Sequence, residues 1–251
     1  MVVGVWIGTA VAAVLTAIVL MTDLFSGSGK LTAEIILGIA FVALLIYSCV
    51  CQNWYNTFSY HGKKQFARRI IDKVSDYVTL PENGTGLDVG CGSGALTIAC
   101  AKKNPNASMV GLDRWGKEYA SFNKPLCESN AAVEGVSSHS SFVQGDACHL
   151  DFPDEYFDAV TSNYCYHNIP SKDRQAILLE TLRVLKKGGT FAIHDLFSKS
   201  KYGDTDQLLQ KLRDMGYEKA ELLDTTNGLF MTPSEASILC MKGSALLVGK
   251  K

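Results

Sequence analysis

Leu87-Asp88-Val89-Gly90-Cys91-Gly92-Ser93-Gly94 places an acid two residues ahead of three alternating glycines. Apolar residues of strand character lead into this run, and Gly94 to Ala99 reads as the start of a helix. A strand that turns through glycines into a helix lets a ligand lie directly against backbone N–H groups. Loops of this kind that hold a pyrophosphate rely on the helix N-terminus, and an anion inside one would repel such a ligand. Asp88 suits a ligand that carries cationic groups. Two further acids sit in comparable settings, Asp113 closing Val110-Gly111-Leu112-Asp113 and Asp146 following Val143-Gln144-Gly145. A carboxylate takes both hydrogens of a vicinal diol, and being acceptor-only when ionised it also matches an exocyclic amino group.

These residues, in this order, resemble the class I methyltransferases that use S-adenosylmethionine (SAM), a nucleoside with a sulfonium and an α-ammonium. The resemblance covers roughly residues 60–251 and continues through Phe152 to Val160 and Leu185 to Thr190. It implies that Asp88 serves the amino-acid end of SAM, Asp113 the ribose and Asp146 the adenine. The cofactor residues it implies are Asp88, Gly90, Cys91, Gly92, Gly94, Asp113, Arg114, Trp115, Asp146, Ala147 and Asn163. Trp115 could stack on adenine, whereas Arg114 departs from the apolar residue that relatives often place there. Alone, each acid reads more readily as a turn residue; the set of three favours the cofactor roles.

Proton handling falls to three candidates, Tyr164, His167 and His194. A neutral imidazole can take a proton from a hydroxyl or thiol as the methyl transfers. Capping of the next helix is an equal reading of His167. His194 and Asp195 form a second candidate pair, but neighbours on a strand point to opposite faces. The carboxylates form no cluster and the eight cysteines are scattered, so no metal is expected.

To bring these residues together the chain must alternate strand and helix as a parallel sheet does. Strands are expected near 85–90, 108–113, 140–146, 157–164, 190–195, 218–225 and 244–249. Helices are expected near 94–103, 117–134, 171–186 with Ser171 as cap, and 204–215. The expected fold is α/β: a Rossmann-like, seven-stranded, mostly parallel sheet with helices on both faces, its last strand antiparallel. Residues 60–79 carry Phe66, Ile70, Ile71, Val74, Tyr77 and Val78 at helical spacing opposite a basic face.

The first sixty residues differ in kind. Val2 to Met21 is an uncharged apolar run of bilayer length, and Ile35 to Cys51 is a second. No basic residues precede the first run, which argues against a cleaved signal peptide. A transmembrane helical hairpin is expected over 1–53, with spans of about 2–22 and 32–51. A linker and amphipathic helix over 54–84 and a catalytic domain over 85–251 follow. His61, Lys63, Lys64, Arg68 and Arg69 after the second run place that domain in the cytoplasm by the positive-inside tendency. Net charge is −1, so no basic field points to nucleic acid. The expected partners are the bilayer and a small molecule, quinone-like, lipid, isoprenoid or thiol. A membrane scaffold that binds SAM without turnover is the alternative from another class.

Overall fold

The computed structural model describes residues 2–22, 27–60, 62, 64–117 and 121–251, with side chains at all of these except 2–5 and 27–28. His61, Lys63 and the turn at 23–26 lie outside the described residues. The chain divides into two compact units, Met1–Arg68 and Arg69–Lys251.

In the first unit, helix α1 (Val2–Met21) runs antiparallel to helix α2 (Gly27–Phe58). Their contact face carries a polar pair, Thr9 Oγ1 to Ser48 Oγ at 2.6 Å, and Trp6 Nε1 donates to Gln52 Oε1 at 3.3 Å. Hydrogen bonds of this kind hold helices together where water cannot compete. The outward faces are apolar, with Ile7, Val14, Ile36, Ile39 and Ile46 all more than half exposed. Gly29–Phe58 is long and apolar enough to cross a membrane, whereas the described apolar part of α1, Trp6–Met21, is shorter. The structure thus carries one helix of spanning length among the described residues, where the sequence leads to two.

The second unit is built on a seven-stranded sheet. Its strands are β1 (Thr85–Val89), β2 (Ser108–Asp113), β3 (Ser140–Gln144), β4 (Phe157–Asn163), β5 (Leu185–Leu196), β6 (Lys219–Asp224) and β7 (Ser244–Lys250). Their order is β3-β2-β1-β4-β5-β7-β6, parallel from β3 to β5, with β7 antiparallel to both β5 and β6. Helix α4 (Ala95–Lys103) joins β1 to β2, α5 (Lys124–Val133) precedes β3, and α6 (Arg174–Arg183) precedes β5. Right-handed crossovers put α4 and α5 on one face and α6 on the other, because the strand order reverses between them. Leu87, Val89, Phe157, Val160, Leu185 and Ile193 are at most 1% exposed and form the centre of the core.

Helix α3 (Phe66–Ser75) buries Ile70, Ile71 and Val74, the stripe expected from the spacing, but is shorter than 60–79. The helix expected over 117–134 begins only at Lys124, because Asn123 caps it by accepting from Leu126 N–H at 2.9 Å and Pro125 follows. Ser171 does not cap α6. Asp173 does, accepting from Ala176 N–H at 2.9 Å, while the Ser171 hydroxyl accepts from Asp173 N–H. Helices α7 (Lys199–Tyr202), α8 (Thr205–Asp214) and α9 (Pro233–Ile238) complete the unit.

Candidate functional site

The switch in strand order falls between β1 and β4, and open α/β sheets bind ligands beyond the carboxyl ends of strands at such a point. A cavity of about 650 Å³ lies there. The glycine turn forms its floor. Gly90 N–H and Cys91 N–H both donate to Leu112 O, at 2.7 and 3.0 Å, which pins the turn to the end of β2. Gly90 has φ +76°, and a Cβ there would lie 2.2 Å from Cys165 Sγ, so only glycine fits. Gly92 has φ +56° and presents an open face; a Cβ would meet nothing nearer than the Phe122 ring at 3.6 Å.

Asp88, 1% exposed, lines the cavity. Its Oδ2 accepts from Thr97 Oγ1 at 2.7 Å, while its Oδ1 is buried without a partner. Burial raises the carboxyl to about 7, against the lowering effect of the Thr97 hydrogen bonds and with a further rise from the Asp113 charge. Asp113 ends β2 and ties two segments together. Its Oδ2 accepts from Gly92 N–H at 2.8 Å and its Oδ1 from Trp115 N–H at 2.7 Å. Each oxygen keeps a second lone pair, enough for two hydroxyls. Asp146 lines the far end, its Oδ1 accepting from Cys148 N–H at 2.9 Å. Gly90, Cys91, Arg114, Ala147 and Asn163 also line this space. Gly94 does not; its N–H donates to Cys91 O at 2.8 Å and closes the turn from below. Trp115, at φ +46°, sends its indole N–H to Gly92 O at 3.0 Å and so braces the loop.

A cationic nucleoside fits this donor set. The orphaned Asp88 oxygen calls for an ammonium-like donor, the Asp113 carboxylate for a diol, and the open Gly92 face leaves room for backbone approach. Among the described residues no group of three or more His, Cys, Asp or Glu side chains is arranged to hold a metal ion.

Beyond the end of β4 the three proton candidates separate. His194, fully buried, uses both ring nitrogens, Nδ1 to Asn163 Oδ1 at 2.8 Å and Nε2 to Thr225 Oγ1 at 3.0 Å. Burial lowers it to about 3, against the pull of the Asp195 charge, so the ring is neutral. It orients Asn163 from behind the cavity wall. Tyr164 stacks edge-on to His194 with centroids 4.6 Å apart, and its hydroxyl lies 2.7 Å from Ser244 Oγ. Burial raises that hydroxyl well above its ordinary value. His167 has a different partner, with Nδ1 2.5 Å from Asp195 Oδ1. Asp195 therefore pairs with His167, 28 residues distant, and not with its neighbour His194.

Several site residues carry no motif. Thr97 holds Asp88, and Ile71, Leu96, Phe122, Ile169 and Pro170 give the cavity an apolar wall. A hydroxyl in the otherwise apolar Ala95–Ala99 stretch was the one signal for Thr97 in the sequence.

Residues 87–193 match the family described as "Methyltransferase domain". A demethylmenaquinone methyltransferase of Lactobacillus johnsonii is 33% identical over 135 residues, covering 52% of this chain and 48% of that protein. A sterol 24-C-methyltransferase of Gibberella zeae is 32% identical over 135 residues, covering 54% and 33%. The chain spans about half the length of the first of these curated relatives, and less of the second. Among solved structures, the [4+2]-cyclase SpnF superposes with a TM-score of 0.57 at 22% identity, covering 75% of this chain and 82% of that one. An O-methyltransferase family protein of Burkholderia thailandensis does so at 0.53 and 12% identity, covering 74% and 56%. At these identities the structures establish the shared fold.

Proposed function

We propose that this chain, which carries a class I SAM-dependent methyltransferase domain, is a membrane-anchored enzyme that methylates a small lipophilic acceptor. The carrying observation is one cavity lined by both carboxylates and apolar side chains. Asp88, Asp113 and Asp146 supply the polar contacts for the cofactor, and Ile71, Ile169 and Pro170 apolar surface for an acceptor. SAM supplies an activated methyl on sulfonium; the protein's task is to align the acceptor with it and exclude water. In this reading Gly90, Cys91, Gly92 and Gly94 shape the cradle with Trp115 bracing it, Arg114 and Ala147 border the adenine, and Asn163 meets the amino-acid end. His167 handles the proton, with Tyr164 and His194 as the wall that places it.

The anchor is the helical pair of residues 1–53, inserted as two spans with the second unit on the cytoplasmic side. Its outward surfaces are apolar, and Lys64, Arg68 and Arg69 follow α2 closely in the chain. Ile71, a wall residue of the cavity, comes only thirteen residues after the end of α2. An acceptor dissolved in the membrane would thus be met by a tethered domain. The curated relatives named above act, by their names, on a quinone and on sterols, which fits an acceptor of that character.

The test uses the full chain in lipid nanodiscs, SAM labelled in its methyl group and a membrane lipid extract. Label should enter the organic phase in a protein-dependent way. Retention of all label in SAM, with SAM still bound, would contradict turnover and favour a cofactor-binding scaffold.

A further inference from the structure

We propose that Asp195 is the positioning residue of a two-residue base with His167, and that the acceptor offers it a protonated, phenol-type hydroxyl. The inference rests on the methyltransferase reading above and names the kind of acceptor it serves.

Asp195 lies on β5, fully buried, yet its carboxylate is saturated with donors. His167 N–H donates at 3.0 Å, Tyr202 Oη at 2.9 Å and Leu196 N–H at 2.6 Å, beside the 2.5 Å contact with His167 Nδ1. Burial pushes this carboxyl up, but the hydrogen bonds and charge of His167 outweigh it and hold the group below its ordinary range. An ionised carboxylate only accepts, so the proton of a neutral His167 ring sits on Nδ1. Nε2 then carries the lone pair. Among the described residues Nε2 has no hydrogen-bond partner, and it is not shut away from solvent. The segment that carries His167 borders the cavity: Tyr164, Cys165 and Asn168 line it, while His167 stands at its margin, outside the lining residues themselves.

The surroundings hold the ring in place. Tyr164 packs edge-on at 6.0 Å between centroids, and Lys201 Nζ donates to the His167 carbonyl at 3.3 Å. Arg174 grips the turn on both sides, Nε to Tyr166 O at 3.2 Å and Nη2 to Ile169 O at 3.0 Å. Of these groups, Lys201 and Arg174 are cations and Tyr164 is a neutral phenol, so Asp195 is the anion that faces the imidazole. A carboxylate behind Nδ1–H fixes the tautomer and stabilises the imidazolium that forms at the other nitrogen.

Such a base is useful to an acceptor that is protonated at working pH, as a phenol near its ordinary value of about 10 is. The acceptor oxygen forms the new O–C bond as the methyl's bond to sulfur breaks, that electron pair staying on sulfur. The hydroxyl proton passes to His167 Nε2 and leaves to water after turnover. An acceptor already present as a thiolate gains nothing from the pair.

The experiment uses the full chain in nanodiscs with two matched probes, 2-naphthol and 2-naphthalenethiol. Asp195→Asn and His167→Gln should each slow naphthol methylation by about 10²–10⁴-fold. That loss should exceed the loss for the thiol by about tenfold or more, with SAM affinity retained. Equal losses on both probes, or no naphthol methylation by the unaltered protein, would overturn the proposal. Nitrogen-15 NMR gives a second reading independent of turnover. The neutral His167 ring should carry its proton on Nδ1, moving to Nε2 in Asp195→Asn; a proton on Nε2 in the unaltered protein would refute the pairing. Failure to bind SAM would instead remove the methyltransferase reading on which the proposal stands.

Discussion

At the scale of single residues, Asp88 carries the most consequence. A carboxyl held near 7 by burial, with one oxygen unpartnered, is a cost the unliganded protein bears and a cationic ligand relieves. Because the folded-state value lies above the ordinary 3.8, the unliganded fold binds the proton more tightly than the unfolded chain does. Its contribution to stability is therefore full at low pH and is lost as pH rises through about 7. SAM binding should run the opposite way, since the ammonium pairs with the ionised form. Calorimetric titrations at pH 6, 7 and 8 should show affinity rising with pH, by up to about tenfold per unit below 7. In Asp88→Asn that dependence should vanish together with most of the affinity. A slope unchanged by the substitution would place the titrating group elsewhere.

At the scale of elements, the glycine turn is where local conformation and packing coincide. Gly90→Ala must hold a side chain at φ +76° and displace Cys165, so destabilisation of roughly 1–3 kcal/mol from the backbone alone is expected. Thermal unfolding should show a lowered midpoint that Cys165→Gly recovers in part; an unchanged midpoint would mean the turn is not as tight as drawn. The turn and the first two strands are legible because β1 and β2 are short, largely apolar runs closed by Gly90 and Asp113, a local signal. Helix α5 starts later than its pattern suggests because apolar residues ahead of Lys124 continue the periodicity, while the cap at Asn123 and Pro125 decides the start. Helix α9 has its own signature in Thr232 and Glu235, a reciprocal capping box, but the stretch around it is otherwise weak in pattern. The pairing of His167 with Asp195 was not legible at all. It depends on the register that sets Asn163 against His194, which turns Asp195 to the other face, and register is a property of the assembled sheet.

At the scale of the molecule, the chain joins an apolar helical pair to a sheet unit whose cavity is lined by both carboxylates and apolar side chains. The proposed function needs both units, and the cofactor site is the part on which everything else depends. Its three carboxylates come from the ends or flanks of β1, β2 and β3, far apart in sequence and adjacent only after folding. The most direct test is calorimetry on the full chain in nanodiscs, titrated in turn with SAM, S-adenosylhomocysteine and NADH. Saturable one-to-one binding of the two adenosyl compounds and none of the dinucleotide is predicted. A folded protein that ignores SAM, or that prefers the phosphate-bearing dinucleotide, would contradict the account at its root.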